Sequence, residues 1–106
     1  MFPTPEDLGD APAWDNYVVA QVVQATLGLI PRGAVAVGVE VEKRRVRLHF
    51  HLSQVSEEDL ADIKDVVEDL DALLGGVARL EVVRVIRERR DISSEPDVRW
   101  IYLARE

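Results

Sequence analysis

The stretch AVAVGVEVEKRRVRLHFHL, Ala34–Leu52, contains two runs of alternating residues with a charged segment between them. Alternation with a period of two is typical of a β-strand, because successive side chains of a strand point to opposite faces of its sheet. Both runs carry large apolar residues at every second position. The stretch therefore predicts a β-hairpin with one buried face.

A tight turn at Lys43 and Arg44 fixes the pairing of the two predicted strands. On the buried face, the predicted pairs are Val41 with Val46, Val39 with Leu48, Val37 with Phe50 and Val35 with Leu52. On the other face, opposite charges are predicted to pair, Glu42 with Arg45 and Glu40 with Arg47. A shift of one residue would place valines opposite arginines, so the pattern specifies the register.

Helices are predicted on both sides of the hairpin in the sequence. The first is capped by Asp15 and ends before Pro31 and Gly33. The second, SEEDLADIKDVVEDLDALLGG, begins after Ser56, has Asp59 at the capping-box position and ends at Gly75–Gly76. It carries an apolar stripe at helical spacing, made of Leu60, Ile63, Val66, Val67, Leu70, Leu73 and Leu74.

Two more strands are predicted, in residues 77–90 and 98–106. The alternation of the third strand changes phase near Val82 and Val83, which predicts a β-bulge. In the fourth strand, simple alternation places Trp100 and Tyr102 on one face, with Ile101 and Leu103 on the other.

The elements together predict a single domain over residues 14–106, preceded by an irregular arm at 1–13. The predicted class is α+β, with the order α-β-β-α-β-β. Two helices packed on one face of a four-stranded, mostly antiparallel sheet would bury every apolar face described above.

Composition limits the class of protein further. A chain of 106 residues with 47% hydrophobic and 31% charged residues is typical of one globular domain. There is no cysteine, which excludes disulfides, thiolate metal sites and cysteine nucleophiles. No apolar run is long enough to cross a bilayer and the N-terminus does not resemble a signal peptide, so we expect a cytoplasmic protein that makes no membrane contact.

Charge is segregated along the chain. The net charge of −7 argues against nucleic acid as a partner. Residues 56–76 hold eight acids and one base, whereas residues 32–55 hold five bases and two acids. One row of acids lies at helical spacing on the side of the second helix away from its apolar stripe: Glu58, Asp62, Asp65 and Asp69. This row is either an ordinary solvated helix face or a surface for a basic protein partner.

No pattern of residues indicates catalysis or a cofactor. His49 and His51 are two apart beside Glu40 and Glu42, a combination that zinc can use, but no third strong ligand is visible. Both histidines are therefore interpreted as solvated surface. The sequence has no phosphate-binding glycine loop, nucleophile elbow or HExxH motif, so we expect a non-enzymatic protein without catalytic, cofactor-binding or metal-binding residues.

Association with another protein is the remaining class of function. Trp100 and Tyr102 are interpreted either as core residues or as anchors for a partner, because aromatics dominate binding hot spots. The alternative is a small homodimeric housekeeping or scaffold protein. Such a homodimer would associate through an open sheet face or through a strand edge at 46–52 or 77–86.

The segments LGLIPRGAVAVGVEVEKRRVRLHFHL (27–52), SEEDLADIKDVVEDLDALL (56–74) and IYLARE (101–106) together resemble a known class of bacterial proteins. These are the small acidic immunity proteins encoded beside polymorphic and contact-dependent toxins. The resemblance spans residues 14–106 and is one of layout. It implies a cytoplasmic protein that binds a toxin domain, often a nuclease, and blocks its basic active-site cleft.

Overall fold

The fold is seen in a computed structural model, which describes residues 11–86 and 97–104. The elements, in chain order, are α1 (Ala11–Thr26), β1 (Ala34–Glu42), β2 (Arg45–Leu52), α2 (Glu57–Leu73), β3 (Arg79–Ile86) and β4 (Arg99–Leu103). The predicted α+β class and element order are confirmed. Residues 1–10 of the predicted arm, 87–96 between β3 and β4, and 105–106 lie outside the described residues.

The start of α1 differs from the prediction. The helix begins at Ala11, so Asp15 lies inside it and is not its cap. Pro12 is compatible with this start, because an N–H in the first helical turn has no carbonyl partner within the helix. Trp14 then donates from Nε1 to the carbonyl of Lys43 at 2.7 Å and ties the helix to the hairpin turn.

The four strands form one mixed sheet in the order β3-β2-β1-β4. β1 is antiparallel to both β2 and β4, whereas β2 and β3 are parallel. Parallel neighbours need a long crossover connection, and α2 supplies it between β2 and β3. Two of the three pairings are thus antiparallel, as predicted.

The predicted hairpin register is confirmed for every pair from Val37 with Phe50 to Glu42 with Arg45. The predicted turn at Lys43–Arg44 is confirmed with it. Lys43 has φ of 55°, the left-handed conformation that tight hairpin turns favour. The predicted pair of Val35 with Leu52 is wrong. A register shift between Ala34 and Ala36 leaves Val35 as an extra residue and places Ala34 opposite Leu52.

A second register shift, in β4, corrects another prediction. Trp100 lies opposite Gly38, and Tyr102 lies opposite Val37. Because Val37 and Gly38 are neighbours on β1, Trp100 and Tyr102 point to opposite faces of the sheet and not to one face. Ile101 is the extra residue between them.

The predicted bulge in β3 is also wrong. Its register with β2 runs without interruption from Arg79 to Ile86. The alternation changes phase because both faces of β3 carry apolar residues. Val83 lies beside His49, for example, and His49 is itself buried.

One core holds the elements together. It combines alternate residues of the hairpin with apolar residues of both helices. The members from the sheet are Ala34, Val37, Val39, Val46, Leu48, Phe50 and Leu52; those from the helices and the residue that follows α2 are Trp14, Val18, Val22, Ala25, Ile63, Val66, Leu70 and Leu74. We call the hairpin face that joins this cluster the inner face. The outer face of the hairpin consists of Ala36, Gly38, Glu40, Glu42, Arg45, Arg47, His49 and His51.

Asp59 fixes the start of α2 in the fold. The predicted capping box is present, with Asp59 N–H donating to Ser56 Oγ at 3.1 Å and Ser56 N–H donating to Asp59 Oδ2 at 3.2 Å. Asp59 is only 3% exposed, and its Oδ1 also accepts from the N–H of Gly33 at 3.3 Å. A carboxylate read from the sequence as a local cap therefore also joins α2 to the start of β1.

We expect Asp59→Ala to lower the free energy of unfolding by about 1–3 kcal/mol, because it removes a cap and leaves the buried N–H of Gly33 unsatisfied. The matched control is Asp65→Ala, an exposed acid on the same helix, with an expected change below about 0.5 kcal/mol. Urea unfolding followed by circular dichroism measures both. Equal losses in the two variants would contradict the bridging role of Asp59.

Candidate functional site

The four acids selected from the sequence form a row on the surface of α2, which we call the acidic row: Glu58, Asp62, Asp65 and Asp69. Glu58, Asp65 and Asp69 are exposed, and Asp62 is half-buried. The helix presents them on its outer side because its other side buries Ile63 and Leu70 in the core. The structure thus brings these four predicted residues together.

Within residues 11–86 and 97–104, no lysine, arginine or histidine lies within ion-pair distance of the acidic row. The base on α2, Lys64, approaches Glu68 at 3.9 Å, and both of those side chains are largely exposed. Glu68 is not part of the row. The carboxylates of the row therefore face solvent without a basic neighbour in the described part of the chain.

The acidic row opposes the stability of its own helix. Glu58 and Asp62, Asp62 and Asp65, and Asp65 and Asp69 are neighbours at three- or four-residue spacing. Each like-charge pair at such spacing destabilises a helix by about 0.2–0.5 kcal/mol. The acids in the first turn of α2 interact favourably with the helix dipole, but the last turn carries no base that would do the same at the other end. The three pairs together cost about 1 kcal/mol, so the row does not stabilise the helix that carries it.

Arg45 and Arg47 of the hairpin form ion pairs with acids of the sheet and not with α2. Arg47 contacts Glu40 at 3.5 Å and Glu81 at 3.2 Å, and Arg45 approaches Glu81 at 3.7 Å. The predicted pairing of Glu40 with Arg47 is confirmed as an ion pair, while Glu81 on β3 was not anticipated as the partner of both arginines. These arginines lie in a ladder across the outer face and do not neutralise α2.

The prediction that His49 and His51 are solvated is wrong. His49 is 6% exposed and His51 is fully buried. The ring of Trp100 lies 4.9 Å from His51 and 6.4 Å from His49 between centroids, so it covers this part of the outer face. His49 Nε2 also lies 3.1 Å from Glu40 Oε1. Among the described residues, no group of three or more histidine, aspartate or glutamate side chains is arranged to hold a metal ion.

Gly38 provides the space for Trp100. A Cβ at residue 38 would lie 2.8 Å from Cε3 of Trp100 and 2.5 Å from Cγ1 of Val98. The sequence contained this signal, because a glycine in the middle of a strand often marks a close approach by another group. Trp100 is therefore a half-buried packing residue of the outer face.

The predicted partner-binding set divides into two places. Tyr102 is half-buried and packs against the core, and Trp100 packs on the outer face. Both belong to β4, at one edge of the sheet, whereas α2 lies beside β3 at the other edge. The two aromatics do not join the acidic row.

Two surface features were not recognised in the sequence. An apolar groove of about 480 Å³ is lined by Leu60, Ile63, Lys64, Val67, Glu68, Val82 and Arg84. A more polar cleft of about 320 Å³ is lined by Asp15, Val39, Glu40, Val41, Glu42, Asp97 and Arg99. The width of the apolar stripe of α2 was a signal for the groove, because Leu60 and Val67 lie at the margin of that stripe.

Comparison with known proteins does not assign the chain to a family. The sequence matches no protein-family model, and no curated protein shows a significant match to it. Among residues 11–86 and 97–104, neither helix has the combined length and apolarity that a membrane span requires.

We expect Gly38→Ala to destabilise the fold by about 1–3 kcal/mol, because the added methyl group overpacks the contact with Trp100 and Val98. A double-mutant cycle with Trp100→Ala isolates the role of the ring. The cost of Gly38→Ala should be smaller in the Trp100→Ala background, since one of the two obstructing side chains is then gone. Strict additivity of the two unfolding free energies would contradict this account of Trp100.

Proposed function

We propose that this protein is a non-enzymatic binding protein whose acidic row contacts a basic surface of a protein partner. The observation that carries the proposal is the row itself, with three exposed acids and one half-buried acid at helical spacing, mutual repulsion, and no contacting base among residues 11–86 and 97–104. A surface that weakens its own helix is consistent with use in binding. A basic partner would supply the missing counter-charges and relieve the repulsion.

The electrostatic mechanism acts mainly on the rate of encounter. Concentrated charge of one sign raises association rates with an oppositely charged partner, and salt screens this attraction. The net charge of −7 has the same sign as the row and adds to the long-range attraction of a basic partner. Leu73, 38% exposed and one turn after Asp69, supplies an apolar contact beside the row.

The resemblance to immunity proteins supplies the class of partner in this proposal. The partner is a bacterial toxin domain, in the typical case a nuclease, and complex formation in the cytoplasm neutralises it by covering its basic cleft. Carboxylates spaced about 5–6 Å apart along a helix approximate the spacing of backbone phosphates, which such a cleft accepts. The row would then occupy the place of the nucleic acid.

Combined replacement of Asp62, Asp65 and Asp69 by lysine should slow association at least about tenfold at low salt. The partner to use is the protein encoded by the neighbouring open reading frame, and stopped-flow kinetics over a range of salt concentrations provides the measurement. The wild-type rate should fall steeply with salt and the variant rate should not.

The control for this reversal changes the net charge equally at other sites. Glu42, Asp71 and Asp97 are exposed acids outside the row, and their replacement by lysine should slow association much less. An equal effect of both triple variants would mean that overall charge, and not the acidic row, governs encounter. An unchanged rate in the first variant would remove α2 from the interface.

A stability measurement separates binding from folding. Asp69→Lys removes a repulsion with Asp65 and places a base toward the C-terminal end of α2, so we expect it to raise the free energy of unfolding by about 0.3–1 kcal/mol. Urea unfolding measures the change, with the charge-neutral Asp69→Asn giving a smaller gain. A loss of stability in Asp69→Lys would show that Asp69 has a structural role, contrary to the proposal.

A further inference from the structure

The outer edge of β3 is open in the described part of the chain, where β3 pairs only with β2. The strand has eight residues in continuous register, and it contains no proline and no bulge. The opposite edge strand, β4, has five residues and an irregular register. Short and bulged strands are the usual protection of a sheet edge against pairing, and β3 has neither device.

Hydrogen-bonding groups of β3 are directed outward at alternate residues. The N–H of Arg79 donates to the carbonyl of Arg44 at 2.7 Å, so odd-numbered residues of β3 direct their N–H groups toward β2. Because N–H directions alternate along a strand, Leu80, Val82 and Arg84 direct theirs to the open edge. Another strand can therefore pair with β3 without disturbing the existing sheet.

An apolar surface lies directly beside this edge. The groove between α2 and β3 contains Leu60, Val67 and Val82, and Leu60 and Val82 are 38% and 37% exposed. Ile86, at the end of β3, is 56% exposed. Backbone donors and an apolar groove thus occur together on one side of the molecule.

We propose that this edge is the interface of a symmetric homodimer, in which β3 pairs antiparallel with β3 of a second copy about a two-fold axis at Val82. Pairing centred on Val82 engages Arg79 to Val85, seven of the eight residues of the strand. It sets Leu80 opposite Arg84 of the second copy and keeps like charges apart, whereas pairing centred on Glu81 or Arg84 would oppose identical charges. The resulting sheet has eight strands.

Charges on α2 fit a second copy of the same chain. Val67 and Val82 line the same groove, so an axis at Val82 also brings the two α2 helices together near Val67 in antiparallel directions. Lys64 of each copy then approaches Glu68 of the other. Their contact within one chain is long at 3.9 Å, and both side chains are exposed enough to exchange partners. Such reciprocal pairing is typical of a two-fold interface.

This interface is independent of the acidic row. Leu60 and Lys64 lie on the flank of α2 that faces β3, and the row lies on another flank. Replacement of Asp62, Asp65 and Asp69 by lysine therefore should not dissociate the dimer. Failure of the proposed function and failure of the dimer are distinguishable for this reason.

A cysteine cross-link tests the axis directly, since the chain has no native cysteine. In Val82→Cys, the two sulfurs meet across the axis, where the Cα separation of about 5.5 Å for such a strand pair suits a disulfide. Mild oxidation should convert most of the full-length protein to a covalent dimer. Leu27→Cys is the control, because residue 27 is 66% exposed on the segment after α1 and should cross-link at least about tenfold more slowly. Equal rates of cross-linking would overturn the proposal.

Sedimentation equilibrium from about 1 to 200 µM tests the unmodified protein. We expect a species of twice 11.9 kDa for the wild type. Lys64→Glu should weaken dimerisation about fivefold or more, and the combined Lys64→Glu and Glu68→Lys exchange should restore it, because the reciprocal pairs re-form with their signs swapped. These side chains are exposed, so the variants remain folded. A monomeric wild type throughout this range, or no effect of Lys64→Glu, would overturn the proposal.

Discussion

The pairing of β1 with β2 is the interaction on which the rest of the structure depends. This hairpin occupies the centre of the sheet, so β3 and β4 add to its two edges and have no independent contact with each other in the sheet order. Its inner face supplies the sheet residues of the core, and its turn accepts the indole hydrogen bond from Trp14. The register of one hairpin thus positions both helices and both outer strands.

The parts predicted correctly from the sequence are those governed by local pattern. Alternation in β1 and β2 specified the register, and the spacing of Ser56, Asp59 and Gly75 marked the limits of α2. The errors arose where a contact distant in sequence decided the outcome. His49 and His51 are polar by alternation, yet Trp100 covers them, and no local rule connects residue 100 with residues 49 and 51. The bulge at Ile101 follows the same principle, because one extra residue in β4 allows Trp100 to fit over Gly38 while Tyr102 contacts the core.

Part of the candidate site was also predictable from local pattern. The acidic row follows from helical spacing alone, and the structure places all four carboxylates on one exposed side of α2. The sequence could not show that Trp100 and Tyr102 belong to a different part of the molecule, because that depends on strand order. It also could not show that β2 is an interior strand and β3 an edge. Of the two strand edges considered for a homodimer, 46–52 is therefore occupied on both sides, and 77–86 contains the open edge of β3.

The core and the two proposed surfaces use three different sides of α2. One side packs in the core, one carries the acidic row, and one borders the groove beside β3. Each copy carries a net charge of −7, so electrostatic repulsion between the two copies opposes dimerisation. Salt screens this repulsion and therefore favours the dimer. Encounter with a basic partner depends on attraction and is weakened by the same salt. The two associations should therefore respond to salt in opposite directions, which provides a physical criterion for assigning any observed complex to one surface or the other.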